Sequence, residues 1–228
     1  MGVTPGDGRR RLAIWIAPAL LAAGLIALLA TALHPLPDRS PFEFGLLYTL
    51  TRYEQSLPLA GLGFAFAQTR FGLLILNSAV FAAGIPLGGV AANWIVAALA
   101  AGADIYDQLR LLGPFCCAIA GLTLVSPAMV RAWLLPAAAL ASAVMLGMVI
   151  NLNDPTIEEW GFAAGAMLCG AWLVAAPLLL WRRFEKPWFL IAARIFGSWL
   201  IAIGVMLGAL HLIPPPEQPS TTSPTQAD

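Results

Sequence analysis

Tyr48, Glu54 and Gln55 set a phenol, a carboxylate and an amide within one short stretch. This oxygen-rich set suits a hard cation or a proton better than a soft metal. On an unbroken helix, residues seven apart share a face, so Tyr48 and Gln55 would converge with Glu54 beside them. Asn77 is a further candidate for lining a cavity, because polar groups are costly in apolar segments and mark function there, and Asn153 and Asp154, just past a later apolar run, are candidates at its outer end; the bland alternative for Asn77 and Ser78 is a hydrogen bond between helices. His34 and His211 are the only histidines. Imidazole ligates divalent transition metals, so His34 with Glu54, or with Asp38 or Glu43, is a candidate metal site. Two histidines are few for a complete ligand set, and the competing reading leaves both solvated or bonded to loop backbone.

Motifs for acyl transfer, zinc proteolysis, phosphate cradling, dinucleotide binding and haem attachment are all missing from the sequence. No catalytic residue and no resident cofactor is expected, and a divalent cation enters only as a candidate substrate. Twelve basic residues balance twelve acidic ones, which leaves no electrostatic footprint for nucleic acid.

The elements that must position these residues are membrane helices. The chain is 60% apolar and 11% charged, and apolar runs alternate with short polar joints. A bilayer core of roughly 30 Å takes about 20 apolar residues per helix, with all backbone groups paired inside the segment. The expected fold is an all-α, polytopic transmembrane bundle of about seven spans: Leu12–Leu33, Gln55–Gln68, Phe71–Ala92, Leu111–Val125, Ala132–Leu152, Trp160–Trp181 and Phe189–Ile213. The second and fourth are short. Leu46–Leu50 is a candidate extension of the second, and Trp94–Ala101 either prolongs the third or re-enters. Arg9, Arg10 and Arg11 before the first run, with Ala30-Thr31-Ala32 near its end, also read as a secretory signal. That run exceeds the usual signal core of about 7–15 residues, which favours a retained anchor; cleavage near Ala32 would leave six spans.

Residues 1–11 then form a cytoplasmic N-terminus, 12–213 the helical domain, and the Pro- and Ser/Thr-rich 214–228 a disordered tail. With the N-terminus inside, Arg9, Arg10, Arg11, Arg70, Arg131, Arg182, Arg183 and Lys186 fall on the cytoplasmic side, against Arg39, Arg52 and Arg110 outside. This asymmetry predicts an inner-membrane protein with its C-terminus outside. Cys116, Cys117 and Cys169 lie in apolar runs, with no disulfide expected. Gly84 with Gly88, Gly161 with Gly165, and Gly204 with Gly208 have the spacing that lets helix backbones approach. The expected partners are the lipid bilayer and, across such faces, a membrane protein partner or a second copy.

The stretch Tyr48-Thr-Leu-Thr-Arg-Tyr-Glu54-Gln55-Ser-Leu-Pro-Leu-Ala-Gly-Leu-Gly63-Phe-Ala-Phe-Ala-Gln68 resembles the opening helix of the HupE/UreJ family, membrane proteins regarded as nickel permeases. Leu50, Thr51, Leu57, Gly63 and Gln68 agree with typical members. Tyr48 stands where the family has its first His, Glu54 for its Asp, and Gln55 for its second His. Ala83-Gly84-Ile-Pro-Leu-Gly88, Ala120-Gly121-Leu-Thr-Leu and Arg194-Ile-Phe-Gly197-Ser-Trp-Leu-Ile-Ala-Ile-Gly204 resemble later helices in order, and Ala32-Leu33-His34-Pro35 the start of the family's mature chain. The resemblance implies a permease scaffold with packing glycines at Gly63, Gly84, Gly88, Gly197 and Gly204. The second His-rich motif is replaced by Ile150-Asn-Leu-Asn153-Asp154-Pro, so selective nickel binding is not implied.

Overall fold

The computed structural model describes residues 6–35, 38–101, 111–152, 159–184 and 188–212, and all the regular structure among them is helical. The helices are α1 (Gly6–Leu33), α2 (Pro41–Thr51), α3 (Tyr53–Ala67), α4 (Phe71–Ala100), α5 (Leu112–Val125), α6 (Ala128–Asn151), α7 (Glu159–Phe184) and α8 (Trp188–Leu212). Each apolar run of the sequence has become a helix. Pro18, Pro58, Pro86, Pro136 and Pro177 lie inside helices that continue past them. The third run extends to Ala100 as one helix of 30 residues, without re-entry. Asn153, Asp154 and the tail fall outside the described residues.

Four helical segments are long and apolar enough to cross a bilayer: Phe71–Ala100, Ala128–Asn151, Trp160–Arg183 and Trp188–Leu210. This is fewer than the seven spans expected. The shortfall has a physical cause in two places. The expected second span is α3, of 15 residues, and the fourth is α5, of 14 residues; both fall short of the roughly 20 that a bilayer needs. The first run lies within α1, a helix of 28 residues.

Glycines set how the helices lie against one another. On α4, a Cβ at Gly84 would stand 2.6 Å from the Ala143 Cβ, and one at Gly88 would strike the Val144 carbonyl and stand 2.9 Å from the Gly147 Cα of α6, so α4 and α6 run parallel in close contact. On α8, Gly197 faces Leu124 and Gly121 of α5, while Gly204 faces Pro114 and Ala118, an antiparallel pair. Along α7, Gly161 and Gly165 receive Pro41 and Phe42 of α2; farther down, Gly63 of α3 lies against the Val174 carbonyl and Pro177. Gly24 of α1 faces the Trp172 indole. Between these seams Phe162, Leu59, Leu62, Leu124, Leu135, Leu146 and Leu200 are fully buried. Large apolar side chains such as Leu25, Ile75, Trp94 and Val205 point outward, as helices facing lipid require.

α2 and α3 are separate helices because Arg52 leaves the helical region at φ −80°, ψ 97°. α2 starts on a capping box: Ser40 and Glu43 each bond the other's backbone N–H, with Pro41 next to the cap, where its missing N–H costs nothing.

Candidate functional site

The break at Arg52 changes the geometry expected for the polar stretch. Sharing a face at a spacing of seven needs one continuous helix; here Tyr48 is on α2, and Glu54 and Gln55 are on α3. The Tyr48 ring packs edge-on to Phe162 at 5.7 Å between centroids, and the Arg52 guanidinium lies 5.0 Å from the Tyr48 centroid. Tyr48 lines a cleft of about 400 Å³ with Ala32, Arg39, Phe44, Leu47, Thr51 and Arg52. Glu54 and Gln55 do not line it.

Glu54 is half-buried against the first turn of α5, where a Cβ at Gly113 would stand 3.6 Å from its carboxyl carbon. The residue before that turn, Leu111, supplies no side-chain cap. A carboxylate there complements the positive end of the helix. Gln55 is 4% exposed, and its Oε1 has no hydrogen-bond partner. An unsatisfied buried acceptor costs roughly 1–3 kcal/mol, so it is a group awaiting a donor or a cation.

His34 is engaged elsewhere. Its Nδ1 lies 3.3 Å from Glu43 Oε2, which also accepts from the Ser40 N–H at 2.9 Å and the Ser40 hydroxyl at 3.1 Å. The Ser40 backbone N–H, helped by the Ser40 hydroxyl and by His34, holds the Glu43 carboxyl below the usual carboxylate range. Arg39 donates from Nε to the His34 carbonyl and from Nη2 to the Ala32 carbonyl, closing the end of α1. Among the described residues, no three His, Cys, Asp or Glu side chains gather as a metal site.

Asn77 lies at the opposite end of the bundle from Glu54. It is 2% exposed; its Nδ2 donates to the Leu73 carbonyl at 2.7 Å and its Oδ1 has no partner. It lines a second cleft, of about 380 Å³, between the first turns of α4 and α6, with Gln68, Arg70 and Arg131 among its neighbours. Known families, curated proteins and solved structures contain no match for this chain.

Sequence reasoning singled out Asn77 but not its surroundings. Arg131 read as one charge among those of a cytoplasmic joint. The structure commits its Nε to the Thr123 carbonyl and its Nη2 to the Ser126 carbonyl, both at 2.9 Å. Asn151, whose Nδ2 donates to Gly147, and Ser142, buried with an unpartnered hydroxyl, also passed unnoticed. Each depends on a helix contact that no local pattern announces.

Proposed function

We propose that the chain is a multi-pass inner-membrane protein of permease type, similar in scaffold to HupE/UreJ, that handles a hard cation or a proton at Glu54 and Gln55. Leu46–Ala67, interrupted at Arg52, makes one pass; with α1 and α4 to α8 this gives seven, the N-terminus cytoplasmic and the C-terminus outside. The observation that carries this reading is the broken helix: directly after it, Gln55 carries a buried amide oxygen with no partner, and the residue before it, Glu54, is a half-buried carboxylate. Discontinuous helices with polar groups at the interruption are where secondary transporters hold their ions. A carboxylate and an amide oxygen attract a hard cation; the nearby thiol, Cys117, is close enough to feel the Glu54 charge but is fully buried.

The test is uptake by the purified full chain in vesicles, with Mg²⁺, Mn²⁺ and Ni²⁺ gradients and a pH gradient read by an enclosed dye. Wild type is expected to carry Mg²⁺, Mn²⁺ or protons ahead of Ni²⁺. Glu54→Gln should abolish this transport and Glu54→Asp keep part of it. Uptake unchanged in Glu54→Gln overturns the reading. So does a wild-type protein that transports nothing and purifies with stoichiometric membrane subunits, which would make it a subunit of a larger complex.

A further inference from the structure

Among the described residues, the cleft at the Asn77 end gathers positive charge and no carboxylate lines it. Its walls are the beginnings of α4 and α6, whose N-caps, Arg70 and Pro127, make no side-chain cap bond. The first N–H groups of both helices are thus left without a side-chain acceptor, and the positive ends of two helices meet. Arg70 makes no ion pair with a described residue, and Arg131 is pinned by its two carbonyl bonds. Arg194 of α8 is close enough to repel Arg131. Among the described side chains the carboxylates are Asp38, Glu43 and Glu54, all toward the other end.

Two amides add directional information. Gln68 Nε2 is a buried donor without an acceptor, and Asn77 Oδ1 a buried acceptor without a donor. A water molecule would answer the amides but not the charge. A phosphodiester carrying a hydroxyl answers both: its oxygens accept from Gln68, the guanidiniums and the helix N–H groups, and its hydroxyl donates to Asn77. An ammonium headgroup would also donate to Asn77, but the guanidiniums repel it. Two exposed apolar side chains line the cleft, Met129 at 82% and Leu73 at 40%. These suit acyl chains rather than a free phosphate in water.

We propose that this cleft is a binding site for an anionic phospholipid with a hydroxylated headgroup, its phosphate between Arg70 and Arg131 and its hydroxyl on Asn77. The test uses the full chain in neutral detergent, with lipid retention read by native mass spectrometry and stabilisation by thermal unfolding. Phosphatidylglycerol is expected to be retained and to raise the unfolding temperature, phosphatidylcholine and phosphatidylethanolamine to do neither. Arg70 is exposed, so Arg70→Gln should fold and weaken phosphatidylglycerol binding roughly tenfold, a loss of about 1.4 kcal/mol. Asn77→Leu should abolish the preference for phosphatidylglycerol over phosphatidylmethanol, which has the same charge but no hydroxyl. Equal retention of phosphatidylcholine, or unchanged binding in Arg70→Gln, overturns the proposal. Stabilisation by inorganic phosphate or glycerol 1-phosphate equal to that by the lipid also overturns it, in favour of a soluble phosphate ligand.

Discussion

Glu43 shows how a residue that looked like a metal ligand becomes a fastener. Its carboxylate closes the Ser40 cap and meets His34, tying the end of α1 to the start of α2. Ser40→Ala removes the hydroxyl that caps Glu43's own N–H, and a lost cap of this kind costs about 1 kcal/mol; thermal unfolding in detergent measures it. Because folding lowers the Glu43 pKa, its stabilising contribution is present above the ordinary carboxylate pKa and is lost as pH falls through the lowered folded value. In Ser40→Ala the smaller pKa shift should make the acid loss smaller and complete at a higher pH than in wild type, and identical acid transitions would refute this. Sequence reasoning passed over the fastener, although Ser40-Pro41-Phe42-Glu43 has the spacing of a capping box. Polar types within apolar stretches singled out Glu54, Gln55 and Asn77. What they could not convey was partnership: Gln55 and Asn77 matter because one oxygen on each has no partner.

Among the helices, the parallel α4–α6 pair makes the sharpest case. Gly88 lies against Val144 and Gly147, and Gly147 in turn lies against the Ile85 carbonyl. Gly88→Ala should destabilise the protein by about 1–3 kcal/mol through overpacking. Gly72, on the same helix, has nothing within 4 Å of an added Cβ, so Gly72→Ala should be neutral or slightly stabilising, by up to about 1 kcal/mol. Paired thermal melts distinguish the seam from general helix propensity, and equal losses would refute it. Apolar runs revealed most helices because membrane segments are long and uniform. They showed α2 only as Leu46–Leu50, a candidate extension of the second run, because its 11 residues fall below the length at which a run stands out, and they concealed the Arg52 break, since neither glycine nor proline marks it.

For the molecule as a whole, the excess of arginine at one end predicts the topology, and a reporter fused after Leu212 should read as outside the cytoplasm; activity of a cytoplasm-dependent reporter there would reverse it. Neither cleft was visible in the sequence, because the Asn77 cleft joins residues 68–77 to 128–135 and the Tyr48 cleft joins the end of α1 to α2. The two-part helix along α7 has a consequence for length variation. Each part takes its register from its own glycine contact, Gly45 on Phe162 and Gly63 on Val174, and Arg52 between them is not bound to helical rotation. One extra residue beside Arg52 should be absorbed at the joint, leaving both contacts in place. The same insertion in α7 between Gly165 and Gly170 turns everything beyond it by about 100°, carrying Val174 away from Gly63. Insertion scanning should therefore find a tolerant position in the middle of an apparent span and an intolerant one in the straight helix beside it.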